Sequence, residues 1–229
     1  MPVYGVRHVK PILDNQQEKG HSLKDLLSWL RHIEIELIEN TANADDKYNT
    51  IKKIKTIKYT NKDVEFAATA LHEMAQMQNE LDTFIIKSRK IEIDNTELVA
   101  KLDIAFSVEL FELLNECRSL FKYWSKKSDN RSLILEEYAD GLHFILSLGN
   151  HENMRDAIID EFVNGLFHPV SEDHSVYSII RTIVIVQDLS VKAFYFGLLA
   201  QLLDFDIDTL YTAYKAKNRK NYARQKEGY

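Results

Sequence analysis

The chain has few of the residues that interrupt regular secondary structure, with seven glycines and three prolines among 229 residues. Together these two residues make up roughly 12% of average proteins. An all-β sandwich or barrel needs many tight turns, for which glycine and proline supply the backbone angles. The shortage argues against such folds and favours long helices with few connections, so we expect an all-α protein.

Cysteine is also scarce, since the chain has only one. A single cysteine excludes a disulfide framework and a cysteine-based zinc site, and it is typical of a reducing cytoplasm. No run of about 18 apolar residues occurs, so we expect no membrane span. The first residues also lack the apolar stretch of a signal peptide. We therefore expect a cytoplasmic protein.

Positive charge is in deficit, with 29 Lys and Arg against 35 Asp and Glu and a net charge of −6. The phosphates of nucleic acids demand Lys and Arg, so we expect no nucleic-acid partner. The hydrophobic fraction of 45% is nevertheless sufficient for a substantial core.

Apolar residues at helical spacing predict helices over most of the chain. Thr60 or Asn61 is a suitable N-cap, and Gly149 with Asn150 is a suitable terminator. The stretch 151–174, rich in His, Asp and Glu, is predicted to be irregular. The predicted helices are a first one from Ser22, then 63–88, 96–120, 131–148, 175–203 and a last one from Thr209. The basic segment Ile51–Tyr59 is ambiguous between helix and strand.

Two pairs of acidic residues lie on consecutive, strongly apolar helices. Glu109 and Glu112 are three residues apart, and Glu137 and Asp140 repeat that spacing on the next helix. Residues three apart share one face of a helix, so two antiparallel helices would bring four carboxylates together. Like charges repel strongly at low dielectric, and hard divalent cations such as Mg²⁺ resolve the conflict because they prefer oxygen ligands.

A single acidic pair of this kind is common on a solvated helix face and is then only structural. Two pairs on consecutive apolar helices favour a metal site over that interpretation. Several ions held in this way could carry a polyphosphate between the helices.

Four motifs resemble those of the dimeric, all-α dUTP diphosphatases (dUTPases), in the form carried by Gram-positive bacteria and their phages. The run Glu109–Ser125 resembles the core of that family, and Glu136–Gly149 resembles its second metal motif. Lys217–Tyr229 is similar to the terminal motif, and Met77–Asp82 to the opening motif. The motifs stand in the family's order, and the resemblance covers residues 63–229.

The resemblance implies a helical bundle of the all-α NTP pyrophosphatase type, with about five to seven helices. It implies a homodimer that hydrolyses dUTP, and also dUDP, to dUMP with release of pyrophosphate or phosphate, which keeps uracil out of DNA. The cofactor implied is Mg²⁺, or Mn²⁺ in its place, with more than one ion in each site. On this basis residues 63–229 are the catalytic domain, and residues 1–62 are an N-terminal extension, partly helical and of unknown role.

Site residues follow from the same resemblance. The implied metal ligands are Glu109, Glu112, Glu137 and Asp140, with Glu109 and Glu112 catalytic and Glu109 orienting or deprotonating the attacking water. The implied substrate-binding residues are Gln78, Asp82, Lys122, Trp124, Lys126, His143, Phe144, Lys217, Asn221, Arg224 and Tyr229. Relatives carry Asn where Asp82 stands. Lys and Arg suit phosphate oxygens, whereas Gln78, Asp82, Trp124, His143 and Phe144 are expected around the uracil base.

Several alternatives remain open at this point. Glu116 either supports the metal site from behind its ligands or forms a structural ion pair, for example with Arg118. Cys117 is expected to be a packed apolar residue. A MazG-like NTP pyrophosphohydrolase of other base preference shares the acidic helical pairs but is not expected to carry the C-terminal motif. Residues 1–62 could also bind a repressor-type protein, in addition to catalysis.

Overall fold

The structure is a computed structural model, and it describes residues 59–170 and 174–228. Within these ranges the chain forms helices and no strand, so the all-α prediction is confirmed. The eight helices, one more than the largest number expected, are α1 Asn61–Arg89, α2 Asn95–Glu116, α3 Arg118–Phe121, α4 Arg131–His151, α5 Arg155–Leu166, α6 Val176–Ile185, α7 Leu189–Leu202 and α8 Ile207–Lys226. The expectations for the helix from Ser22, for residues 51–58 and for Tyr229 lie outside the described residues.

Polar caps explain where most of these helices begin. The side chain of Thr60 accepts a hydrogen bond from the backbone N–H of Asp63, whose carboxylate accepts one in return from the N–H of Thr60. Asp94, Asn130 and Asp206 cap α2, α4 and α8 in a similar way, through one side-chain acceptor each. Each cap satisfies a backbone donor that the first turn of a helix leaves unpaired.

The bundle is organised around α4. Helices α2 and α4 pack side by side over much of their length, and α1 and α8 pack against another part of α4. The pair α2 and α4 is antiparallel, because the Asn95 side chain at the start of α2 donates to the His151 carbonyl at the end of α4. The ring of Tyr138 on α4 stacks on Phe196 of α7 at 4.2 Å between centroids, inside the apolar core.

Helix α5 lies in the stretch that the sequence predicted to be irregular, so that prediction was wrong. Its apolar residues recur at helical spacing and are buried in the core: Ile158, Ile159, Phe162, Val163 and Leu166. Gly149 does not end α4 either, because the helix continues to His151. The turn after it, at Glu152 and Asn153, is short enough for α5 to start at once.

The single helix predicted over 175–203 was also wrong, because the chain breaks into α6 and α7. Val186 is extended, and Asp188 caps α7 by accepting from the backbone N–H of Val191. Neither glycine nor proline marks this break, and both sides of it are strongly apolar.

Helices α5 and α7 cross so closely that each places a glycine against the backbone of the other. A Cβ on Gly165 would lie 1.9 Å from the carbonyl oxygen of Phe194, and one on Gly197 would lie 2.1 Å from that of Phe162. Only glycine fits at either position, so two of the few glycines serve helix packing.

Among the described helices, none combines the length and the apolar character that crossing a bilayer requires.

Candidate active site

The antiparallel packing of α2 and α4 brings three acidic side chains into one cluster. Carboxylate oxygens of Glu109, Glu137 and Asp140 all lie within 4.8 Å of one another, and the three residues are partly buried. We call these three residues the carboxylate cluster. An all-oxygen donor set of this spacing fits a hard divalent cation such as Mg²⁺.

The charges in the carboxylate cluster are strongly coupled. Burial, together with the nearby charges of Asp140, Glu112 and Glu137, raises the pKa of Glu109 to about 7, while Lys217 opposes them. Burial also raises the pKa values of Glu137 and Asp140. Negative charge at this site is therefore held at a cost, which a bound cation would remove.

Glu112, the fourth predicted ligand, lies beside the carboxylate cluster and not within it. Its side chain is exposed, yet its charge is close enough to raise the pKa of Glu109. The structure therefore brings together three of the four predicted ligands and leaves the fourth at the solvent side of α2.

Helix α8 places basic side chains against these acids. The Lys217 ammonium lies 2.5 Å from Asp140 Oδ2 and 2.8 Å from Glu136 Oε1, and Lys220 lies 3.1 Å from the same Glu136 oxygen. Burial disfavours the charge on Lys217, but the hydrogen bonds to Asp140 and Glu136 outweigh it and raise the pKa of the lysine. Glu136 was not among the predicted site residues, although it lies one position before Glu137.

Two further predicted residues lie on α8. The charge of Arg224 lowers the pKa of Asp140, although burial has the larger and opposite effect. Asn221 is partly buried one turn after Lys217. Tyr229 lies outside the described residues.

A buried polar network connects α1, α4 and α8. The Gln78 amide donates to Asp82 Oδ1 at 2.7 Å, and its carbonyl oxygen lies 2.6 Å from His143 Nδ1 and 2.9 Å from the Tyr214 hydroxyl. The Ser147 hydroxyl donates to Asp82 Oδ2 at 2.6 Å. The structure brings the predicted residues Gln78, Asp82 and His143 together. Sequence reasoning missed Tyr214 and Ser147, which lie one turn before Lys217 and one turn after His143.

Three buried polar atoms in this region have no hydrogen-bond partner among the described residues: His143 Nε2, Asn218 Nδ2 and His151 Nε2, the last of which lies 3.7 Å from Asp82 Oδ2. Asn218 follows Tyr214 by four residues, and the ring of Tyr214 stacks on His143 at 3.9 Å between centroids. Buried polar atoms without a partner are rare in folded proteins, so His143 Nε2 and Asn218 Nδ2 indicate a place for a polar ligand. The sequence placed Asn218 within a motif without assigning it a role. Phe144, the next residue after His143, packs against the core.

The remaining predicted contacts line a separate open cleft at the C-terminal end of α2. Lys122, Trp124 and Lys126 surround it together with Asn115 and Arg118, and its volume is about 630 Å³. Trp124 is 65% exposed, and the Lys122 ammonium is held 2.5 Å from the Asn115 side-chain oxygen.

Two open questions about residues near this cleft are answered by the structure. Glu116 forms an ion pair with Arg118 at 2.6 Å, as the structural interpretation expected. Cys117 is buried in the core, as predicted.

An acidic centre between two antiparallel helices, faced by a basic third helix, characterises an all-α protein equipped to act on phosphorylated substrates. A family model described as dUTPase matches residues 70–229, so the chain belongs to the dUTPase family. It is accordingly a dUTP diphosphatase, an enzyme of nucleotide metabolism whose substrate is dUTP. A comparison with curated proteins gives no match.

The matched range contains all four motifs on which the resemblance rested. It begins at Ala70, inside α1, so the boundary predicted between residues 62 and 63 stays a prediction.

Proposed function

We propose that the enzyme hydrolyses dUTP to dUMP and pyrophosphate with Mg²⁺ ions held by the carboxylate cluster and by Glu112. The observation that carries this proposal is the approach of Glu109, Glu137 and Asp140 within 4.8 Å, with all three pKa values raised. Bound Mg²⁺ would polarise phosphate oxygens and lower the pKa of an attacking water. The side chains contribute the ligand oxygens and a base.

Glu109 is the residue proposed to orient the attacking water and accept its proton. Burial and the charges of Asp140, Glu112 and Glu137 raise its pKa to about 7 in the metal-free protein. A positive charge nearby stabilises the carboxylate form, which is the form that can accept a proton.

Helix α8 is proposed to hold the phosphate chain through Lys217, Asn221 and Arg224, together with Tyr229. Support comes from the Lys217 ammonium, which lies 2.5 Å from Asp140 and therefore beside any cation that Asp140 holds. Lys122 and Lys126 offer further positive charge at the open cleft. Arg224 presents a planar guanidinium that matches phosphate oxygens in pairs.

The uracil base is proposed to bind at the buried network, against Gln78 and His143. The unpartnered His143 Nε2 and Asn218 Nδ2 support this placement, because a base edge presents both hydrogen-bond donors and acceptors. Phe144, which follows His143 on α4, supplies aromatic surface in the same proposal. Trp124 was also expected around the base, but the structure places it in the separate open cleft with Lys122 and Lys126.

A homodimer is proposed from an apolar stripe on α2. Ile104, Val108 and Phe111 recur at helical spacing and are 65%, 46% and 51% exposed. A contiguous exposed apolar face is typical of a protein interface. Sedimentation velocity should give a dimer for the full chain and a monomer for Ile104→Asp, whereas a monomeric wild type would contradict the proposal.

A nucleotide panel tests the reaction. Pyrophosphate release from dUTP, dTTP, dCTP and UTP, and phosphate release from dUDP, are measured with Mg²⁺, with Mn²⁺ and with EDTA. We expect turnover of dUTP and dUDP with either metal and none with EDTA. Preference for another nucleotide would favour a MazG-like pyrophosphohydrolase of other base specificity.

The same panel on Glu112→Gln decides the role of that exposed residue. A ligand or catalytic group should cost about 10² in kcat or more. Turnover near the wild-type rate would show that the carboxylate cluster acts without Glu112.

Binding of a repressor-type protein stays a prediction. It was assigned to residues 1–62, of which the structure describes only 59–62. A pull-down that compares the full chain with residues 63–229 would test it.

A further inference from the structure

We propose that Asp82 is a positioning residue for base selection: through Gln78 it holds His143 in the form whose Nε2 accepts a hydrogen bond from the N3–H of uracil. The proposal rests on the proposed placement of the base against His143 and deepens it. Four steps lead from Asp82 to the base.

The Asp82 carboxylate fixes the orientation of the Gln78 amide. Both carboxylate oxygens act as acceptors, one from Gln78 Nε2 at 2.7 Å and the other from the Ser147 hydroxyl at 2.6 Å. The reversed amide would place the Gln78 carbonyl oxygen against a carboxylate oxygen, where neither has a proton to donate. Gln78 Oε1 therefore points away from Asp82.

The fixed Gln78 amide in turn fixes the tautomer of His143. Gln78 Oε1 can only accept, and it lies 2.6 Å from His143 Nδ1 and 2.9 Å from the Tyr214 hydroxyl. At 2.6 Å Nδ1 must carry the proton, because its lone pair would otherwise face an oxygen lone pair.

Burial keeps the His143 ring neutral, since it lowers the pKa of the imidazole to about 3. A hydrogen bond to the Tyr214 backbone favours the charged ring but does not outweigh burial. A neutral ring with its proton on Nδ1 has a lone pair on Nε2. That atom is buried and has no partner among the described residues, and stacking on Tyr214 holds the plane of the ring.

A buried acceptor at this position distinguishes pyrimidines by their N3 atom. Uracil carries a hydrogen on N3 and would satisfy Nε2, whereas cytosine presents a lone pair there and would leave two acceptors facing each other. Leaving buried polar groups unpaired is costly, so such a contact rejects the mismatched base strongly. Thymine also has N3–H, so its rejection must come from elsewhere in the pocket.

Three variants separate this role from a merely structural one. Asp82→Leu removes the acceptor that orients Gln78 and lets the amide reverse. Asp82→Asn keeps an acceptor for Gln78, because its Oδ1 can accept while its Nδ2 donates to Ser147. Glu80→Leu is the matched control, since Gln76 donates to Glu80 at 2.9 Å on the exposed side of the same helix, again four residues apart.

The first measurement is the ¹⁵N NMR spectrum of the histidine rings in the full-length protein, with His143 assigned from the signal missing in His143→Asn. We expect the Nδ1–H tautomer in the wild type, in Asp82→Asn and in Glu80→Leu, and a mixture in Asp82→Leu. An Nε2–H tautomer in the wild type would overturn the proposal, and this result needs no variant to fold.

The second measurement is the ratio of kcat/KM for dUTP to that for dCTP. Asp82→Leu should lower the ratio by about tenfold or more, the worth of one buried hydrogen bond. Asp82→Asn should restore it to near the wild-type value, and Glu80→Leu should leave it unchanged. An unaltered ratio in folded Asp82→Leu would overturn the proposal. Absence of dUTP turnover in the wild type would instead overturn the proposed reaction, and the tautomer of His143 would still be decided by the NMR measurement.

Discussion

Two pairs of helices in this enzyme pack closely but bury different chemistry. Helices α5 and α7 approach until Gly165 and Gly197 meet the opposite backbone, and their contact surface is apolar. Helices α2 and α4 also pack side by side, yet Glu109, Glu137 and Asp140 lie between them. The first pair is arranged for stability, whereas the second maintains a charge conflict, which a divalent cation would relieve in the proposed function.

The largest expected effect is on catalysis at the second pair. Glu137→Gln removes one negative charge from the carboxylate cluster. It should reduce kcat for dUTP by about 10³-fold, which is comparable with the loss of one group that stabilises a transition state. A steady-state assay of pyrophosphate release measures it. Glu97→Gln makes the same change on the exposed start of α2 and should leave kcat unaltered, and retention of a tenth of the activity in Glu137→Gln would contradict the account.

The next effect is on stability at the first pair. A Cβ at position 197 would lie 2.1 Å from the carbonyl oxygen of Phe162, and backbone atoms cannot move aside without separating the helices. Gly197→Ala should lower the free energy of unfolding by about 3 kcal/mol or more. Urea unfolding measures this, with Gly149→Ala as the control.

At Gly149 the added Cβ would meet the Ile158 side chain at 3.1 Å, and a side chain can shift. The control should therefore change the free energy of unfolding by less than about 1 kcal/mol. Equal effects of the two substitutions would show that the crossing of α5 and α7 is not the tight contact described.

Glu109→Gln should have a smaller effect on the free energy of unfolding, and this effect is a stabilisation. Burial and the neighbouring carboxylates raise the pKa of Glu109 to about 7, above its ordinary value of 4.5. An acid whose pKa is raised in the folded state destabilises the protein once it ionises, so the cost is absent below about pH 4.5 and complete above about pH 7.

Glu109→Gln should accordingly stabilise the metal-free enzyme at pH 8 by about 1–2 kcal/mol, after allowance for solvent screening, and have little effect at pH 4.5. Urea unfolding at the two pH values measures the difference. A variant that is less stable than the wild type at pH 8 would contradict the charge conflict.

The smallest effect is expected at a surface pair on the same helix. Lys101 and Glu97 lie 3.1 Å apart and are both well exposed, so Lys101→Ala should cost about 0.5 kcal/mol or less. A larger loss in urea unfolding would show that α2 depends on surface charge more than its packing suggests.

The carboxylate cluster could be anticipated from sequence because helical periodicity is regular. Residues three apart share a face on any helix, so Glu109 with Glu112 and Glu137 with Asp140 needed only an antiparallel arrangement to meet. That only three of the four side chains meet depends on how α2 is rotated against α4, which local spacing does not specify.

Other features depend on contacts between distant parts of the chain. The break at Val186 has no glycine or proline, and the polar pair Gln187 and Asp188 is short and lies between two largely apolar segments, so 175–203 was predicted as one helix. Tyr214 and Ser147 have no chemical signature of their own. Their partners Gln78 and Asp82 lie on another helix, and only the packing of α1, α4 and α8 joins them.

The central claim is that the carboxylate cluster is in conflict until a divalent cation binds. The most direct test is the melting temperature of the wild type and of Glu137→Gln at pH 8, with and without Mg²⁺ and without nucleotide. Mg²⁺ should raise the melting temperature of the wild type by several degrees, since each kcal/mol is worth about 2–4 °C in a chain of this size, and by much less in the variant. An unchanged melting temperature in the wild type, or an equal rise in both proteins, would contradict the claim.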